Sequence, residues 1–166
     1  MEKILKLIQE GNQVQARSEL LKHNVVDIAD FFDTIEGNDL ILLFRILPKD
    51  LAAEVFSYMN TEGQQHIVEI MSDKEIENML PNIYMDDIVD FIEEMPAIVV
   101  KKVLNNASPD RRTLINRLLS YPEFSAGSIM TTEFVDLKKE LTVKQAIDRI
   151  RQIGFDRETI NTMYVI

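Results

Sequence analysis

The chain has 166 residues, 46% of them apolar and 28% charged, with a formal net charge of −10. That balance excludes a wholly disordered chain, and no run approaches the ~20 apolar residues that a membrane helix needs. Zero cysteines exclude disulfides and thiolate metal sites, and Met1-Glu2-Lys3-Ile4-Leu5-Lys6 lacks the apolar core of a secretory signal, so the cytosol is the expected compartment.

Charge is unevenly distributed. From Asp27 to Pro96 there are 17 acidic residues against Arg45, Lys49 and Lys74, a local balance of −14. Such a field repels phosphate backbones and excludes nucleic acid as a partner of this region. It attracts cations or a basic partner surface, and a solvated acidic face is the plainer account of the same excess.

Taken in chain order, the apolar residues repeat every 12 positions. One column reads Phe31, Leu43, Val55, Ile67, Met79, Phe91 and Val103. The next reads Phe32, Phe44, Phe56, Val68, Leu80, Ile92 and Leu104. A third holds Ile35, Leu47, Met59, Met71, Ile83, Met95 and Ala107, and a fourth holds Ile28, Leu40, Ala52, Gln64, Ile76, Ile88 and Val100. Gln64 is the single polar member. Each unit thus places apolar groups at i, i+3, i+4 and i+7, one face of an α-helix.

Turn residues share the phase. Pro48, Asn60, Ser72, Tyr84, Pro96 and Ser108 each follow the last apolar residue of a unit. Asn and Ser favour helix N-caps, and proline is tolerated in a first turn. Ser72-Asp73-Lys74-Glu75 has capping-box spacing, and Ser108-Pro109 sets a cap before an N1 proline. Helices this short are marginal alone and must stack. The fold class that follows is mostly α, a right-handed superhelix of short stacked helices over residues 1–120. The methionines in the columns are read as core filler.

The pattern changes after Tyr121. Residues 121–132 form a breaker-rich linker through Tyr121-Pro122-Glu123-Phe124-Ser125-Ala126-Gly127-Ser128. Glu133 to Leu137 alternates like a strand, Leu141 to Gly154 reads as a helix with Thr142 as N-cap and a glycine stop, and Thr162 to Ile166 reads as a second strand. Residues 133–166 are therefore expected to be the opening β-α-β of a further domain.

Catalytic signatures are missing. His23 and His66 have no ligand spacing, and His66 shares the repeat phase of Glu54 and Asp90, which suits a surface or half-buried histidine bordering the acidic face. The glycines form neither a dinucleotide fingerprint nor a P-loop, and Ser128 sits in no nucleophile elbow. No enzyme activity is expected from these residues.

Three segments carry a family resemblance: Leu47-Pro48-Lys49-Asp50-Leu51-Ala52-Ala53-Glu54-Val55, then Met85-Asp86-Asp87-Ile88-Val89-Asp90-Phe91-Ile92, then Tyr121 to Thr131 running into Glu133-Phe134-Val135. In this order and spacing the chain resembles the N-terminal cytosolic region of MgtE-type magnesium transporters. That resemblance implies a helical superhelix ahead of a pair of CBS domains and a membrane pore, on the cytoplasmic side of the cell membrane, in a homodimeric parent protein. It implies a regulatory, Mg²⁺-sensing role, with the CBS domain pair and the membrane domain as partners. It further implies that Glu54, Asp86 and Asp90, with Asp87 as a neighbour, bind Mg²⁺ at the face towards the CBS domains.

The residues themselves permit this. Asp86 and Asp90 are i, i+4 on one helix face, and Glu54 lies three repeats before Asp90 in the same phase. Mg²⁺ keeps most of its water and takes one or two carboxylates. The competing account is that Asp86 and Asp87 stabilise a helix N-terminus through its dipole by ~0.3–1 kcal/mol. A second functional class also stands, because the repeat resembles the protein-interaction helical domains of the flagellar motor switch protein.

Overall fold

The computed structural model describes residues 1–154, 157 and 160–166. Ten helices precede the linker: α1 (Glu2–Gln9), α2 (Gln13–Leu20), α3 (Val25–Phe32), α4 (Asn38–Ile46), α5 (Lys49–Tyr58), α6 (Thr61–Ile70), α7 (Asp73–Met79), α8 (Met85–Glu94), α9 (Ala97–Asn106) and α10 (Pro109–Leu118). A 3-10 turn, Leu80–Asn82, joins α7 to α8. After the linker come β1 (Val135–Leu137), α11 (Val143–Ile153) and β2 (Met163–Val165). No strand falls between Asp27 and Ser120 among the described residues.

Local chemistry sets the helix starts where the repeat puts them. Pro48, Asn60, Ser72, Tyr84, Pro96 and Ser108 are the N-cap residues of α5 to α10 in turn. The Ser72–Glu75 capping box forms, and Ser108 accepts from the Arg111 N–H with Pro109 at the first helical position. Thr142 starts α11 with a second capping box, through Gln145.

The helices α4 to α9 stop without glycine. At the α4–α5 junction Leu47 has φ −68°, ψ 148° and Pro48 has φ −57°, ψ 147°, so two consecutive extended residues turn the chain. The same extended conformation recurs at Met59, Met71, Ile83, Met95 and Ala107. These are the third apolar column, and all are buried. Glycine with positive φ appears just after α1, at Gly11 (φ 77°), and as the N-cap of α4, at Gly37 (φ 68°).

The four columns form the core. Every member is buried except Val100 and Leu104, which are half-buried and packed against the rest. Most of the stacking joins helices two apart, α3 on α5, α4 on α6, α5 on α7, α6 on α8, α7 on α9 and α8 on α10, and α6 also packs on α9. α1 and α2 pair and close over α4. Phe44, Phe56 and Phe91 run through the centre edge to face, with ring centroids 6.4 and 5.3 Å apart.

Helices ending in extended residues leave carbonyls that no left-handed cap can satisfy. Side chains from later helices take them. Gln64 Nε2 donates to the Phe56 carbonyl at the end of α5 (2.7 Å), which explains the single polar member of the columns. Lys102 Nζ donates to the carbonyls of Val68, Glu69 and Met71 at the end of α6 (2.8, 3.0 and 2.6 Å). Arg112 does the same for Leu104, Asn105 and Ala107 at the end of α9. Two basic residues that follow the acidic middle of the chain thus serve as helix stops.

One ion pair ties α4 to α7. Arg45 donates to both oxygens of Glu75 (2.7 and 3.2 Å), while the Ser72 N–H and hydroxyl each donate to Glu75 Oε2 at 2.8 Å. These donors hold the Glu75 carboxyl at a pKa of about 2, with Arg45 the leading cause. A folded-state pKa below the unfolded value means stability that is present above ~4.3 and lost as pH falls towards 2. Urea midpoints measured at pH 6 and pH 3 should therefore differ less for Glu75→Gln than for the parent. An equal difference would show that the pair contributes nothing to acid sensitivity.

Beyond α10 the linker turns tightly. A Cβ on Gly127 would lie 2.5 Å from Cγ of Tyr121, so only glycine lets the chain pass that ring. β1 and β2 pair in parallel, Val135 with Met163 and Leu137 with Val165, and α11 packs on β1 as the crossover. Arg149 Nη2 bonds Asp136 Oδ1 at 2.9 Å and its Nε donates to the Asp136 carbonyl at 3.0 Å, fastening α11 to the strand.

Candidate functional site

Glu54 lies on α5, and Asp86, Asp87 and Asp90 lie on α8. Glu54 and Asp90 are exposed, while Asp86 and Asp87, in the first turn of α8, are half-buried. Their helix buries Met85, Ile88, Val89, Phe91 and Ile92 on its inner side, which sends Asp90 outward. One oxygen of Asp86 is shut off from solvent.

Glu54 and Asp90 lie three helices apart, on α5 and α8, which meet through the rings of Phe56 and Phe91. Among the described residues, no group of three or more His, Cys, Asp or Glu side chains converges as a metal would require. The carboxylates are hard oxygen donors of the kind Mg²⁺ takes.

Glu54 instead lines a polar cleft of about 470 Å³ with Asp50, Pro81, Asn82, Ile83, Tyr84, Arg111 and Glu133. Asp50 is one turn before Glu54 on the same face of α5, a spacing that could have marked it in the sequence. Arg111 carried no such signal. Its Nη2 donates to the Ile83 carbonyl at 2.7 Å, and its buried Nε has no hydrogen-bond partner among the described residues. Burial lowers the guanidinium pKa, and the charge of Glu133 opposes that shift. Glu133 enters from beyond the linker and accepts the Met85 N–H at 3.2 Å.

His66 lies elsewhere. Its Nε2 is 3.3 Å from the Gly37 carbonyl, in a separate hollow lined also by Asp33, Glu36 and Glu62. There Asp33 caps α6 from outside, both oxygens accepting the Asn60 N–H at 3.1 and 3.0 Å. Burial raises the pKa of Asp33 above the usual carboxylate value, although the bond from Asn60 works the other way.

The architecture has close counterparts. A crystal structure of the soluble part of a magnesium transporter superposes with a TM-score of 0.88 at 24% identity, over 99% of this chain and 65% of that one. A crystal structure of the cytosolic domain of the Mg²⁺ channel MgtE in complex with ATP gives 0.85 at 27% identity, over 97% and 66%. In sequence, the magnesium transporter MgtE of Thermus thermophilus is 28% identical over 163 residues, 96% of this chain and 36% of the relative. The magnesium transporter MgtE of Bacillus subtilis is 24% identical over 158 residues, 84% of this chain and 34% of the relative. The chain thus spans about a third of the length of these relatives. Residues 23–124, from the loop before α3 through α10 and into the linker, match the family described as the MgtE intracellular N domain. The chain belongs to that family.

Proposed function

We propose that this chain is the Mg²⁺-sensing regulatory part of a magnesium transporter, reporting cytosolic Mg²⁺ to a membrane pore. The observation that carries the proposal is family membership over residues 23–124, joined to the exposed carboxylates of Glu54 and Asp90. Glu54, Asp86 and Asp90, with Asp87 beside them, are the proposed half-site. The other half belongs to the CBS domain pair of the same protein, of which residues 133–166 are the proposed opening. Residues 1–120 form the helical unit and 121–132 its linker. The parent protein is a homodimer with its membrane domain in the cell membrane and this part on the cytoplasmic side.

The physics is a population shift. Without a cation the facing carboxylates repel and disfavour the closed arrangement; Mg²⁺ bridging the two faces favours it. A ligand moves such an equilibrium only by its differential affinity for the two states, so several weak sites must act together. A half-site is correspondingly weak. Mg²⁺ at ten times a millimolar dissociation constant would stabilise the isolated chain by about 1.4 kcal/mol.

The deciding experiment is channel activity against cytosolic Mg²⁺ in the full-length transporter carrying Glu54→Gln, Asp86→Asn and Asp90→Asn. The Mg²⁺ dependence of gating should flatten while transport persists, because none of the three lies in a pore. An unchanged response would remove the sensor role from these residues and leave a protein-interaction superhelix as the better reading.

A further inference from the structure

Helix α8 is capped from outside itself. Its N-cap residue, Tyr84, makes no side-chain cap bond, whereas Asn60, Ser72 and Ser108 cap their own helices. The Met85 N–H donates instead to Glu133 Oε1, 48 residues further on, at 3.2 Å. Glu133 is itself held: its Oε2 accepts the Thr132 hydroxyl at 2.9 Å, and its N–H donates to the Thr131 hydroxyl at 3.2 Å. Arg111 lies in the same cleft, anchored on the Ile83 carbonyl two residues before Met85. A second contact reaches the same corner, where the Tyr84 hydroxyl donates to the Arg157 carbonyl beyond α11 at 3.5 Å.

We propose that Glu133 is a positioning residue: its carboxylate, steadied by Arg111, docks the β1–α11–β2 unit on the N-terminus of α8. A negative charge at a helix N-terminus gains from both the free N–H groups and the dipole. The linker offers little competing hold. Phe124 in its middle is 88% exposed, although Met130 at its end packs against the helical core. A contact at 133 therefore sets the angle at which the second unit leaves the first. The docking needs no cation, and it stands or falls separately from the Mg²⁺ reading.

The chain has no native cysteine, so two spin labels can be placed cleanly. Val14→Cys on α2 and Lys144→Cys on α11 are both at exposed positions. In this full chain, a pulsed electron-electron distance measurement should give one narrow distribution, which broadens with Glu133→Ala and with Arg111→Met. Amide hydrogen exchange at Met85 should speed up about ten-fold or more in Glu133→Ala, as expected when a bond to a charged group is lost. Exchange in α3 should not change. Glu133→Gln keeps an acceptor oxygen and should recover most of the Met85 protection, which a general loosening of the fold would not allow. A narrow, unshifted distance in Glu133→Ala overturns the proposal. So does unchanged exchange at Met85, or a Glu133→Gln variant that recovers neither readout.

Discussion

Phe56→Ala is expected to destabilise the helical unit by ~3–5 kcal/mol, the range for emptying a buried aromatic site. Phe56 is 3% exposed and belongs to α5, which packs on both α3 and α7. Its ring meets Phe44 of α4 and Phe91 of α8 edge to face, so one side chain links helices from three places in the stack. Its neighbours cannot collapse into the gap, because each is fixed by its own helix and its own column. Urea unfolding followed by helical circular dichroism measures the loss, with Val14→Ala on the exposed side of α2 as a control that should stay within ~0.5 kcal/mol of the parent. An unchanged midpoint for Phe56→Ala would mean that the second column does not form the core.

Lys102→Met should cost about 2 kcal/mol, although lysine is ordinarily among the most replaceable residues. The methionine retains most of the apolar stem but leaves three carbonyls at the end of α6 without their donor. Water recovers part of the loss, since the bond to Glu69 is exposed. The adjacent Lys101 is exposed on the same helix, and Lys101→Met should change stability by less than ~0.5 kcal/mol. Equal effects of the two substitutions would show that net charge, rather than the helix stop, is what Lys102 contributes.

The contrast between these two residues marks the boundary of what can be read in the chain. Phe56 is visible because helix period and turn chemistry act over four residues or fewer: an apolar stripe at i, i+3, i+4 and i+7, a serine or asparagine at the start, a capping partner three residues on. That is why the Ser72–Glu75 capping box and Thr142 as an N-cap were identifiable, and why the two strands flanking α11 were too. Gln64 stood out as polar in an apolar column, but its purpose needed the Phe56 carbonyl beside it.

Lys102, Arg111 and Glu133 are different, because their partners lie 28 to 48 residues away. No local rule says which helix a side chain will meet. A 12-residue repeat of turns fixes the phase of each helix, but whether neighbours stack at one, two or three repeats depends on the angle the extended junctions give the chain. Here the answer is chiefly two, with α6 also on α9 at three. Glu54 and Asp90 are in phase on α5 and α8, which meet through Phe56 and Phe91, and packing also makes Glu54 line a cleft with Arg111 and Glu133. Periodicity and capping are short-range and written into consecutive residues; the company each acid keeps is set by packing, which sums contacts from the whole chain.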